Sequence, residues 1–188
     1  MSKEDNKEEA PEQEQSIWRS LGGTLLYLLV IVLLTWVIVT FVGQRTKVDG
    51  HSMEPTLSDG DNLIVDKLSY RFRDPERYDI IIFPGPEEFG QHPYYIKRII
   101  GMPGETVQIK DGKVYINDSE TPLDDSFVSE TPLGSFGPYE VPENCYFMMG
   151  DNRNNSKDSR YWQNTYVQFD QIVGKAEIRY FPSIKLLN

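Results

Sequence analysis

The chain has 188 residues, a formal charge of −10, two histidines and one cysteine. That length allows one medium domain plus an anchor, and the acidic balance argues against a nucleic-acid partner, which needs a basic face to displace counterions from phosphates. A lone Cys145 excludes an intramolecular disulfide, and His51, His92 and Cys145 stand without ligand spacing, so neither a metal site nor a cofactor is expected.

Residues 1–20 carry three basic and six acidic side chains with little to bury, which predicts a disordered tail. From Leu21 to Gln44 no charge occurs. A helix needs about 20 apolar residues to cross a hydrocarbon core, so a transmembrane helix is expected over 21–44. A buried core helix is rarely apolar on every face for so long, and the apolar stretch of a cleavable secretory leader runs about 7 to 15 residues. Trp18 and Phe41 fall near the expected interfaces. Lys3, Lys7 and Arg19 balance Arg45, Lys47 and Lys67, so flanking charge does not set the orientation.

Residues 45–188 read as one globular domain. Short runs rich in β-branched and aromatic residues predict strands: Asn62 to Asp66, Asp79 to Phe83, Ile96 to Ile100, Thr106 to Ile109, Val114 to Ile116, Ala176 to Tyr180, and an apolar run from Cys145 to Met149. Asp111-Gly112 between two alternating runs marks a two-residue hairpin. No helical period appears beyond residue 44, so the domain is expected to be mostly antiparallel β. Two long connections, 84–93 and 119–142, are full of Pro, Gly, Glu and Ser; loops of that length are functional or flexible.

Three local patterns carry chemistry. Ser52 lies in Ser52-Met53-Glu54-Pro55-Thr56-Leu57, eight residues beyond the uncharged run, which confines it to the neighbourhood of a membrane surface; alone it reads equally as a turn serine. His51 is adjacent, but on an extended segment its ring would aim to the opposite side from the Ser52 hydroxyl. Lys97 sits in Tyr95-Ile96-Lys97-Arg98-Ile99, where alternation puts Tyr95, Lys97 and Ile99 on one face. If that face is inward, burial lowers the lysine pKa and a neutral amine can serve as a base; if outward, Lys97 is an ordinary solvated lysine. The third pattern is the polar run Gly150-Asp151-Asn152-Arg153-Asn154-Asn155-Ser156-Lys157-Asp158-Ser159-Arg160, which in isolation is a solvated loop. Neither a Gly-x-Ser-x-Gly elbow nor a Ser-x-x-Lys motif occurs.

Taken together, Ser-Met-x-Pro-Thr-Leu, Lys-Arg-x-x-Gly-x-Pro-Gly-Glu and Gly-Asp-Asn-Arg-x-Asn-Ser-x-Asp-Ser-Arg, in this order, resemble the bacterial type I signal peptidases, from the anchor to about residue 181. The resemblance implies a mostly β, antiparallel catalytic domain of the signal peptidase type behind one amino-terminal transmembrane helix. It also implies a membrane-bound serine endopeptidase that cleaves secreted preproteins after a small-x-small motif through an acyl-enzyme. Ser52 would be the nucleophile and Lys97 the general base, with Ser156 orienting the amine and Arg98, Asp151, Asp158 and Arg160 forming supporting ion pairs. The Ser52 backbone N–H would donate to the oxyanion. The position two residues earlier, a serine donor in some members, is Gly50 here. Val48, Met53, Leu57, Tyr95 and Ile96 would line the substrate pockets. The short chain with a single span resembles the Gram-positive branch, which implies a cytoplasmic amino terminus and an extracytoplasmic catalytic domain in the cell membrane. The implied partners are preproteins, membrane lipid and the secretion translocon.

Two alternatives make different demands. A self-cleaving Ser/Lys repressor needs an amino-terminal DNA-binding helix pair where this chain has an uncharged run. A membrane-anchored module that holds extended peptides without cutting them does not need all three catalytic positions filled, as they are here.

Overall fold

The computed structural model describes residues 12–37, 43–86 and 94–187. The chain divides into two units, one ending at residue 41 and the other starting at residue 42. The first holds one helix, α1 (Glu12–Val37). Its side chains from Leu21 to Trp36 are all exposed, Leu25 at 66% and Val32 at 67%, and apolar residues fall at every register of the turn. Among the described residues no helix is both long and apolar enough to cross a membrane; of the span expected over 21–44, residues 38–42 lie outside the described set, and Gly43 and Gln44 are not helical but pair as a strand with Asp66 and Val65. The tail expected to be disordered is helical from Glu12 onward. Glu and Gln are good helix formers, and extending an existing helix costs far less than nucleating one. Residues 1–11 lie outside the described residues.

The second unit is antiparallel β throughout. Its larger sheet has strands β1 (Gly43–Lys47), β2 (Asn62–Asp66), β3 (Ile80–Pro84), β4 (Tyr94–Gly101), β8 (Cys145–Met149), β9 (Tyr166–Gln168), β10 (Gly174–Phe181) and β11 (Lys185–Leu186). They are ordered β1-β2-β10-β3-β4-β8-β9, with β11 on β10. A smaller sheet, β6-β5-β7, comprises β5 (Thr106–Lys110), β6 (Lys113–Ile116) and β7 (Phe136–Glu140). β5 and β6 pair up to Lys110 opposite Lys113, leaving Asp111 and Gly112 as the two-residue turn. Both have positive φ, 49° and 78°, as the expected hairpin turn requires.

The uninterrupted apolar runs have a simple cause: the central strands are covered on both faces. In β3, Ile80 packs with Val48, Leu63 and Ala176, whereas Ile81 and Phe83 pack with Ile99, Met148 and Trp162. In β8, Met148 joins that second cluster, and Phe147 and Met149 join a third with Ile100, Val107 and Val141. Strand alternation therefore distributes one sequence run between separate cores. The connection expected over 119–142 contains β7. Its Phe136-Gly137-Pro138 looks like a loop, but it pairs with β5, so tertiary pairing overrides composition. In the other long connection, residues 87–93 lie outside the described set.

Candidate active site

Ser52 stands in a turn, closed by the Glu54 N–H donating to the His51 carbonyl at 3.3 Å. The Leu57 N–H donates to the Met53 carbonyl at 2.9 Å, closing a second turn whose two end side chains both enter the core. Met53 and Leu57 are accordingly core residues, 1% and 0% exposed, packed with Val48, Leu63 and Ile80. This corrects their expected place on the pocket wall. Of the five candidate lining residues, Val48, Tyr95 and Ile96 do line an open cavity of about 290 Å³, together with Ser52, Lys97 and Gly50. The exposed His51 has its Nδ1 3.0 Å from Glu54 Oε1, and that carboxylate raises its pKa.

Lys97 comes from β4, which is paired along both edges by β3 and β8. The side chain is 4% exposed, and its Nζ lies 2.6 Å from Ser52 Oγ. The Tyr95 ring, 5.4 Å from Nζ, closes one side. Burial lowers the lysine pKa to about 8, against the upward pull of Asp158 and Asp151 and with a further downward push from Arg160. A hydroxyl thus sits within proton-transfer distance of an amine whose neutral form is far more accessible near physiological pH than that of a solvated lysine.

The run from Gly150 to Arg160 backs this pair. Asp151 takes two bonds from Arg98, Nε at 2.8 Å and Nη2 at 2.6 Å, and a third from Thr56 Oγ1 at 2.5 Å. It thereby ties β4 to the turn that carries Ser52. Asp158 pairs with Arg160 at 2.8 Å and accepts the Gly150 N–H at 3.0 Å. Asn152 fastens the serine from behind: its N–H donates to the Ser52 carbonyl at 3.0 Å and its Nδ2 to the His51 carbonyl at 3.1 Å. Arg98, Asp151, Asp158 and Arg160 are all under 9% exposed, so each charge relies on its partner.

Ser156 differs from expectation. It is 8% exposed, but its Oγ has no hydrogen-bond partner. Lys97 Nζ is instead directed to Ser52 Oγ. Gly150 controls this spot, since a Cβ there would collide with Ser156 Oγ and with the Ser52 carbonyl. We predict that Gly150→Ala destabilises the fold by about 1–3 kcal/mol through overpacking. It should also cut kcat/KM at least about tenfold by displacing Ser52 from Lys97. Urea unfolding and cleavage per folded molecule measure the two effects.

Gly50 has a φ of +101°, and its N–H donates to Asp59 Oδ1 at 2.9 Å. A side chain there would meet open space but a strained backbone, which accounts for glycine in this turn. Thr56, Asn152 and Arg153, which bear on the site, lie inside the first and third motifs; Asp125 and Phe127, which also bear on it, carry no sequence signal.

Comparison with known proteins gives the class, a serine peptidase, and its family. A family model described as signal peptidase, peptidase S26, matches residues 21–181. The chain is 40% identical over 179 residues to a probable signal peptidase I-2 of Synechocystis sp., covering 94% of this chain and 78% of that protein. It is 36% identical over 188 residues to signal peptidase I T of Bacillus subtilis, covering 96% and 94%. A solved signal peptidase I from Enterococcus faecalis is 35% identical, with 55% of this chain and 97% of that one covered at a TM-score of 0.44. The chain belongs to the signal peptidase family, peptidase S26.

Proposed function

We propose that this protein releases amino-terminal signal peptides from secreted preproteins, cutting after a small-x-small segment, with Ser52 as nucleophile and Lys97 as general base. The observation that carries the reading is the 2.6 Å approach of a buried, pKa-lowered amine to a serine hydroxyl on the wall of an open cavity. The neutral Lys97 amine takes the Ser52 proton as Oγ attacks the scissile carbonyl carbon, and the oxyanion is held by the Ser52 N–H. The Lys97 ammonium then protonates the departing amine of the mature chain. An ester to the signal peptide remains. Lys97 next deprotonates a water that attacks this ester, and Ser52 Oγ leaves with the proton. Ser156, whose buried Oγ is unpartnered, is the residue assigned by the family resemblance to orient the Lys97 amine. Gly50 brings no side-chain donor, so the second oxyanion donor is another polar group of the cavity wall or a water.

The exposed apolar side chains of α1 support a membrane anchor, because a sleeve of half-exposed Leu, Ile and Val is unfavourable in water and favourable in lipid. On the reading inherited from the family, residues 1–20 are cytoplasmic and residues 45–188 extracytoplasmic. The substrates are preproteins emerging from the translocon. The test is to incubate the detergent-solubilised full chain with a secreted precursor and determine the amino terminus produced. A new terminus directly after a small-x-small segment is the expected result; an intact precursor sinks the reading.

A further inference from the structure

The connection between β6 and β7 contains no residue of the reaction, but it is fastened to the active-site run at several points. Asp125 grips Arg153 with both carboxylate oxygens, at 2.7 and 2.6 Å. The Arg153 side chain is 1% exposed, and its remaining Nε donates to the Gly150 carbonyl at 3.2 Å. The Gly150 N–H is held by Asp158. Both backbone polar groups of Gly150, the residue that abuts the Ser52 carbonyl, are therefore clamped, one of them through Arg153 and Asp125. Two residues on, the Phe127 ring lies 4.1 Å from the Arg98 guanidinium and 5.8 Å from that of Arg153, with Tyr78 edge-on at 5.7 Å. Further along, the Leu133 N–H donates to Asn154 Oδ1 at 2.9 Å, and Asn154 Nδ2 donates to the Thr131 carbonyl at 3.2 Å.

These contacts share one geometry. Arg98 sets Asp151, and Asp151 holds Thr56 in the serine's turn; Arg153 sets Gly150, which abuts the serine's carbonyl. The loop grips the two arginines from outside, Asp125 through charge-assisted bonds and Phe127 through its ring face. We propose that residues 124–133 form a positioning strap, with Asp125 and Phe127 holding Arg153 and Arg98 so that the Gly150 segment keeps Ser52 in register with Lys97. Resting on the function proposed above, this makes a surface loop a determinant of turnover. Substrate capture depends on it less, because no residue of 124–133 lines the cavity.

The test compares Asp125→Asn, Asp125→Glu and Phe127→Leu with the parent chain on a signal-peptide-bearing precursor peptide. Rates are counted per folded molecule at a temperature where circular dichroism shows each variant folded. For Asp125→Asn we expect kcat to fall about tenfold or more with KM within about twofold, the signature of misplaced catalytic groups. Asp125→Glu, which keeps the charge, should recover much of the loss. Phe127→Leu should lower kcat severalfold, and it carries the test by itself if Asp125→Asn does not fold. Unchanged kcat in the folded variants, a loss confined to KM, or Asp125→Glu no better than Asp125→Asn would overturn the proposal. Failure of the parent chain to cut the precursor would instead remove the functional reading beneath it.

Discussion

Alanine at position 52 is expected to abolish precursor cleavage and leave the fold standing. Ser52 Oγ is the hydroxyl that Lys97 Nζ reaches at 2.6 Å, and His51, the nearest other base, is engaged with Glu54 at 3.0 Å. Without Oγ no ester can form, and what remains is binding plus the oxyanion contact. In serine peptidases such remnants leave losses of roughly 10⁴-fold or more in kcat. The structural cost is small. The turn is held by the Leu57 to Met53 and Asn152 to Ser52 backbone bonds and by Met53 and Leu57 in the core, none of which needs the hydroxyl. Loss of one hydrogen bond costs about 1 kcal/mol. The measurements are precursor cleavage followed by mass analysis and a melting curve for each protein. Ordinary processing by a folded Ser52→Ala chain would remove serine nucleophilic catalysis from the account.

The pattern of what could be read in the sequence has physical causes. Strands covered on both faces, such as β3 and β8, announce themselves as apolar runs, and the Asp111-Gly112 turn is legible because its backbone demands those residue types. β1 was missed: its Gln44-Arg45-Thr46-Lys47 lies at the sheet edge, where burial dictates little. β7 was hidden because its pairing with β5 overrides the loop character of Gly137 and Pro138. At the site, the fold brings residues of the three motifs together, but which face of β4 points inward is set by tertiary packing, which local alternation does not record. Met53 and Leu57, placed on the pocket wall by the family resemblance, are core residues because the turn after Ser52 folds both into the cluster with Val48 and Leu63. Asp125 and Phe127 could not be found at all. An ion pair spanning 28 residues and a ring stacked on an arginine leave no period and no spacing in the sequence.

Lys97 gives the second large effect, and it has two sides with different pH dependence. Only the neutral amine can take the Ser52 proton, and burial puts the lysine pKa at about 8, against an ordinary 10.5. Cleavage should therefore rise about tenfold per pH unit below that value and level off above it. Lys97→Met should lose cleavage at every pH. A parent profile flat from about pH 6 to about pH 10 would count against a titrating lysine. Stability moves with the same group. Between about 8 and 10.5 the unfolded chain holds the Lys97 proton and the folded chain does not. The unfolding free energy therefore climbs as pH rises through that window, by about 3 kcal/mol from this group. Below the window, the buried lysine is a standing cost. Lys97→Met, of similar size and without charge, should remove it and stabilise the fold at neutral pH by about 1–3 kcal/mol, while the climb with pH disappears. Denaturant unfolding of both proteins at neutral and alkaline pH reads this directly. A variant that is inactive yet more stable would mean that the fold holds this amine at a cost for the sake of its reactivity; equal stability and equal pH slopes in the two proteins would show that the amine is not buried as an uncharged base.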